Sequence, residues 1–223
     1  MKKIFNILNA ILIVLVLVGD ICYTTLGGLW LKGLTSLGFV LIGITNLIYA
    51  FKTEGTERKF CIIMLIGLVF AMLGDIVLNL FFIGGAILFA IGHIFYFIAY
   101  CVLQSFKLKD LIFGLIIFVP SALIILLLPI FDFGGILMQM VCLIYALIIS
   151  FMVGKSVSNL INKRNLVNII LVIGSILFFI SDLMLLLNVF GNVGEFADIL
   201  CLATYYPAQC FLAYSLMVAK KEN

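Results

Sequence analysis

The sequence predicts an all-α fold, a polytopic membrane bundle of eight transmembrane helices. Three observations carry that prediction. The 223 residues are 66% hydrophobic and only 10% charged, with a mean hydropathy of +1.39. Soluble domains are about 45–50% apolar, and a core of this size cannot hide the excess, so the solvent is lipid. The backbone polar groups of a chain in lipid must be satisfied internally, which leaves helices or a closed barrel. The apolar runs are about 20 residues long without strict alternation, the signature of membrane helices rather than barrel strands.

The elements follow in order, with spans predicted near 4–22, 31–51, 60–80, 85–105, 109–129, 134–154, 166–188 and 197–218. The start, "MKKIFNILNAILIVLVLVGD", has the basic residues and apolar stretch of a signal peptide. No small-x-small cleavage site follows, so it reads as the first membrane helix. Helix 2 lies between Lys32 and Lys52, and helix 3 follows Arg58 and Lys59. Helix 4 ends before Lys107, helix 5 begins at Lys109, and helix 6 ends before Lys155, Lys163 and Arg164. Helix 8 contains Pro207, which is expected to kink it, and ends before Lys220 and Lys221. Loops are short, so residues 1–223 are expected to form a single integral membrane domain.

Of the 13 basic residues, all but Lys32 fall on the side of the N-terminus. The positive-inside rule then places both termini in the cytoplasm of a multi-pass protein of the cell membrane, which requires an even number of spans. The net charge of +3 suits contact with an anionic leaflet and gives no reason to expect nucleic acid. The six cysteines (Cys22, Cys61, Cys101, Cys142, Cys201 and Cys210) are scattered singly and read as small buried hydrophobes.

An internal repeat is visible. "GLVFAMLGDIVL" (67–78) and "GSILFFISDLML" (174–185) align so that Gly67 matches Gly174, Asp75 matches Asp182 and Leu78 matches Leu185. The same offset carries Gly84 onto Gly191 and Phe89 onto Phe196. Four helices separate the copies, which predicts a 4+4 parallel repeat about an axis along the membrane normal. Asp75 and Asp182 would then stand opposite one another across a shared interior. Chance similarity between glycine-containing apolar helices is the alternative.

A carboxyl in mid-membrane costs about 2.5–3.5 kcal/mol on insertion scales and is functional by default. Asp75 and Asp182 both lie toward the non-cytoplasmic ends of their helices. His93, the one histidine, shares a helix face with Tyr96 and Tyr100. Tyr205 and Gln209 are spaced i, i+4, and Lys32 opens helix 2. Asn79, one turn after Asp75, reads as a partner behind that carboxyl or as an end cap. Asp75, Asp182 and His93 are therefore the candidate catalytic residues. Lys32, Asn79, Tyr96, Ser181, Tyr205 and Gln209 are candidates for contacting a substrate. Asp20, Asp132, Glu195 and Asp198 lie near helix ends or in outer loops and are expected to be solvated.

Several chemistries drop out. One histidine cannot build a three-histidine zinc site, no GxSxG elbow is present, and neither a Walker nor a GxGxxG motif occurs. No metal or cofactor is expected. What remains is an acid–base set facing a lipid-accessible cavity, which fits a hydrolase or a proton-coupled carrier of lipids or small molecules. A carrier needs a path on the cytoplasmic side as well, where helices 3, 4 and 7 look apolar. A purely structural protein would not explain two costly Asp residues in matched positions.

"GDIVL" (74–78), "GHIFY" (92–96), "LFFISDLML" (177–185) and "TYYPAQ" (204–209) resemble, in order and spacing, the YhhN family of multi-pass membrane proteins, which includes lysoplasmalogenases. One departure is Lys32-Gly33 where the family typically has Lys-Pro. The resemblance implies cleavage of the vinyl ether of a lysoplasmalogen, a lysophospholipid held in membrane lipid, to a fatty aldehyde and a glycerophospho-head group. Such ethers hydrolyse by protonation of carbon, giving an oxocarbenium ion that water captures. Two carboxyls with divided roles, one acid and one counter-charge, suit that path, as in glycoside cleavage. His93 would orient water or phosphate, and Tyr205 and Gln209 would hold the head group. Which carboxyl is the acid stays open at this point.

Overall fold

The computed structural model describes residues 1–191 and 193–220; Lys221, counted above among the basic residues, lies outside them. The chain forms α1 (Lys2–Leu26), α2 (Leu29–Lys52), α3 (Arg58–Leu78), α4 (Phe82–Leu103), α5 (Leu108–Leu127), α6 (Ile136–Asn162), α7 (Leu166–Phe190) and α8 (Glu195–Val218). All eight are long and apolar enough to cross a bilayer. This is a multi-pass membrane protein.

The helices run up and down. Phe5 packs on Tyr49, ring centroids 5.1 Å apart, and Thr56 bridges Lys220. The start of α1, the α2–α3 turn and the end of α8 therefore share one end of the bundle, the basal end. The α1–α2, α3–α4, α5–α6 and α7–α8 turns lie at the distal end. Three of these turns need left-handed backbone, which glycine supplies at least cost: Gly27 and Gly28 have φ of 68° and 98°, Gly134 and Gly135 have φ of 64° and 149°, and Gly194 has φ of 82°.

Small residues set the closest approaches. A Cβ on Gly67 would lie 2.5 Å from the Tyr96 ring and 3.1 Å from the Gly92 carbonyl oxygen. α3 and α4 thus meet backbone to backbone, as membrane helices do where bulk is absent. Gly174 does the same for α7 and α8, where a Cβ would sit 2.9 Å from Leu212 and 3.3 Å from the Ala208 oxygen. Within each half, neighbouring helices pack in sequence, α1–α2–α3–α4 and α5–α6–α7–α8 without an α4–α5 contact, and α2–α8 and α4–α6 join the halves. These pairings exchange under a shift of four helices. The α3–α8 contact is matched by side-chain contacts of α7 with α4, such as Ser175 with Tyr100, whereas α1–α8 has no counterpart among the described residues.

Three expectations need correction. α6 does not stop near residue 154 but continues to Asn162, so Lys155 sits inside a helix and is 1% exposed. Its Nζ donates to Asp110 Oδ2 at 2.7 Å and to the Ser105 carbonyl at 3.2 Å. Ser158 donates to the other carboxylate oxygen, and the Lys107 amide donates to Oδ2 at 2.7 Å. Hydropathy reads a cation at a helix end as the start of a loop, whereas a buried partner holds it inside. The basal half is also not apolar. Asn159 donates to the Tyr100 carbonyl, and Gln104 and Asn168 both donate to the Asn159 carbonyl. Finally, Asp20 is not solvated. α1 runs on to Leu26, which draws Asp20 into the bundle at 8% exposure, its Oδ1 without a partner. Pro207 leaves α8 unbroken from Glu195 to Val218.

The Lys155–Asp110 pair pins the α4–α5 turn to α6. Removing one member of a buried pair strands the other charge, at a cost of about 3–5 kcal/mol. Lys155→Met is therefore expected to lower the thermal unfolding temperature in detergent markedly. The double variant with Asp110→Asn should recover part of the loss.

Candidate functional site: two carboxyl clusters at the distal end

Asp75 lies in the last turn of α3, and its side chain is 3% exposed. Two hydroxyls donate to its Oδ2, Ser36 Oγ and Tyr205 OH, each at 2.6 Å. Lys32 Nζ stands 4.0 Å from Oδ1. Lys32 and Ser36 are one helical turn apart, so α2 presents both on one face. Lys32 also lies over the Tyr23 ring of α1, 5.5 Å from its centroid. Asn79 turns back to donate to the Asp75 carbonyl at 2.7 Å, and so caps the end of α3.

Asp182 lies about 12 Å below the distal end of α7, eight residues from Phe190 at roughly 1.5 Å each. Tyr145 of α6 donates to its Oδ2 at 2.8 Å. His93 Nε2 stands 2.8 Å from the Tyr145 oxygen and 3.4 Å from Asp182 Oδ2. Because the phenol proton goes to the carboxylate, the phenol oxygen accepts from His93, which assigns the imidazole proton to Nε2. Nδ1 is buried without a partner.

Among the described residues, the two carboxyls share no hydrogen-bond partner. The Phe178 ring stands between the clusters, 4.5 Å from His93 and 5.3 Å from Tyr205. Phe89 packs edge-on against Phe178 and Tyr205, at 6.2 and 6.0 Å. The shared interior predicted from the sequence is thus divided by an aromatic wall.

A cleft opens beside the second cluster, with about 750 Å³ of free space in and immediately outside it. Its walls come mainly from α4, α5, α6 and α7 and are almost wholly hydrocarbon, with Asp182, Tyr145 and Ser121 the polar side chains among them. Asp182 is 14% exposed at its side chain, against 3% for Asp75.

Of the residues expected at the site, Lys32, Asp75 and Tyr205 come together in one cluster, and His93 and Asp182 in the other. Tyr96 and Gln209 do not border the cleft. Both are fully buried, and Tyr96 OH donates to Gln209 Oε1 at 3.0 Å. Ser181 faces Cys201 Sγ at 3.4 Å, away from the Asp182 carboxylate. Two participants were missed, Ser36 and Tyr145. Ser36 was signalled by its i, i+4 spacing from Lys32. Tyr145 was signalled by standing alone in the apolar run "LIYALI" (143–148), far from the interfacial belts where tyrosine usually sits.

Among known proteins, the model of the YhhN family matches residues 29–216. Searches of curated proteins and of solved structures return no match. The matched segment begins at α2 and takes in every residue of both clusters.

Removing a hydroxyl from Asp75 leaves a buried oxygen short of a donor, at a cost of about 1–3 kcal/mol. Ser36→Ala and Tyr205→Phe are each expected to lower thermal stability by that amount. A double-mutant cycle with Asp75→Asn should show coupling for both.

Proposed function

The chain belongs to the YhhN family, and from that premise we propose that it is a lysoplasmalogenase-like hydrolase. It cleaves the vinyl ether of a lysoplasmalogen to a fatty aldehyde and a glycerophospho-head group. The observation that carries this reading is the pair of intramembrane carboxyls, each bonded to hydroxyl or imidazole groups of other helices, with one of them opening onto a hydrocarbon cleft.

The reaction needs a proton delivered to carbon, a counter-charge for the cation, and water. A carboxyl acid protonates the outer carbon of the O–CH=CH unit, and the double-bond electrons form the new C–H bond. The inner carbon becomes an oxocarbenium centre. Water adds there and returns a proton to the carboxylate. The hemiacetal then collapses, breaking the C–O bond, to release the aldehyde and the glycerol hydroxyl. Burial disfavours the charged form of a carboxyl in general, which suits the acid's task. The second carboxyl, beside the Lys32 ammonium and two hydroxyls, adds negative charge from behind the aromatic wall. His93 and Tyr145 hold the Asp182 carboxylate in place.

The basic residues support an orientation with the basal end in the cytoplasm, which puts the reaction in the outer half of the bilayer. A carrier would need a second open route at the basal end. There Asp110 is already held by Lys155, Ser158 and the Lys107 amide.

Purified protein offered an alkenyl-lysophospholipid should release aldehyde, and none from the acyl counterpart. Asp75→Asn and Asp182→Asn should each lower the rate by about 10²–10⁴-fold, the range for positioned acid–base groups. Full activity in both variants would sink the mechanism. Uptake of labelled lipid without product would point to a carrier instead.

A further inference from the structure

We propose that the cleft between α4, α5, α6 and α7 is the binding site for the hydrocarbon chain of a single-chain lipid, and that Asp182, not Asp75, is the carboxyl that meets it. This deepens the hydrolase reading and rests on it for the chemistry, though not for the binding site.

The argument starts from an equivalence. Asp75 on α3 is held by α2, through Lys32 and Ser36, and by α8, through Tyr205. Asp182 on α7 is held by α6, through Tyr145, and by α4, through His93. A shift of four helices converts one set of supporting helices into the other, just as it exchanges the packing pairs. The two carboxyls therefore occupy matching positions, and local architecture alone does not say which one acts.

The match fails at one place. In the first half, α1 lies against both α2 and α8. It covers the flank of the Asp75 cluster, and its Tyr23 ring sits under the Lys32 ammonium. The helix equivalent to α1 is α5. Among the described residues α5 lies beside α6 alone, and it does not approach α4. The cleft occupies that gap, with Phe89 and Ala86 of α4 on one side and Ile125 of α5 on the other. A missing helix contact thus opens one carboxyl to the bilayer and leaves the other sealed.

The walls define the occupant. Cys142, Ala146 and Ile125 line the cleft, and no Lys, Arg or His does. A phosphate would be stripped of water there with no cation to receive it, a cost that excludes the head group. An uncharged hydrocarbon chain loses nothing. Its polar linkage then finds the one acid in the lining, Asp182. Asp182 is the single acid in the lining and so receives one polar linkage, and the occupant assigned is one hydrocarbon chain.

Two labels test this on the wild-type protein in nanodiscs of diacyl phosphatidylcholine. The first is a saturated 1-O-alkyl lysophospholipid with a diazirine in its chain, which lacks the vinyl bond and cannot turn over. Mapped by mass spectrometry, its crosslinks should fall on α5 and α6 near Ile125, Cys142 and Ala146, and excess unlabelled alkyl lysolipid should compete them away. Ala146→Trp should abolish them, and Ala86→Phe serves as a second filled variant should the first unfold. The second label is dicyclohexylcarbodiimide, an apolar reagent that adds to protonated carboxyls. It should modify Asp182 at least tenfold faster than Asp75, and the alkyl lysolipid should protect.

Crosslinks on α1, α2 or α8, crosslinks spread evenly around the bundle, or crosslinks that diacyl lipid competes equally well would overturn the site. Preferential modification of Asp75 would overturn the choice of carboxyl. Because neither label requires turnover, cleft crosslinks without aldehyde release would remove the hydrolase reading and keep the site. Aldehyde release with crosslinks elsewhere would do the reverse.

Discussion

A polar group at bilayer depth has no water to complete its hydrogen bonds, so it must be completed by another helix. That constraint organises this bundle more than apolar packing does, since lipid tails are as apolar as the leucines they meet. Asn9 and Asn46 bond reciprocally and tie α1 to α2, and Asn46 reaches on to the Ala213 carbonyl of α8. Tyr96 and Gln209 join α4 to α8, and Tyr100 and Ser175 join α4 to α7. Lys155 and Asp110 fix α5 to α6. Glycines bring the backbones near enough for these short side chains to meet, as at Gly67 against Gly92.

The site inherits its geometry from this network. Ser36 reaches Asp75 because α2 packs on α3, and Tyr205 reaches it because α8 packs on both. His93 and Tyr145 meet because α4 and α6 are in contact across the join between the halves. The bundle thus holds each carboxyl among three helices and separates the two by Phe178 and Phe89. An aromatic wall keeps each set of donors assigned to its own carboxyl. It also lets the two groups differ in solvation, and acid–base catalysis by paired carboxyls requires such a difference.

The eight helices were legible because hydropathy is a local property, and so were Asp75, Asp182 and His93, whose expense in lipid is visible without a partner. Lys32 and Tyr205 were legible through their depth. The remainder depended on pairing, which one sequence does not display. Lys155 looked like the start of a loop because Asp110 lies 45 positions away in the chain. Asp20 looked like an end residue because the extra turn of α1 is no more apolar than a loop. Gln209 and Tyr96 stood at the right depth for substrate contact, yet they bond to each other and neither borders the cleft. A lipid-accessible cavity was expected, but its position left no trace in the sequence, because it follows from α5 lying beside α6 alone among the described residues.

Comparison among the polar residues bears on what the two Asp side chains are for. Interhelical hydrogen bonds in membranes contribute about 0.6–2 kcal/mol each, whereas an intramembrane Asp costs about 2.5–3.5 kcal/mol to insert. Bonding helices together is achieved elsewhere in this bundle with neutral groups, as Asn9 with Asn46, Tyr96 with Gln209 and Tyr100 with Ser175. Asp110 uses a carboxyl, but near the basal end of α5 and with a Lys partner at 2.7 Å that offsets its charge. Asp182 has no such cation. Its partners are a phenol and an imidazole, and one side of it faces hydrocarbon. An Asn or Ser there would join α6 to α7 at lower cost, so the carboxyl's distinguishing property is the proton it can give and take back.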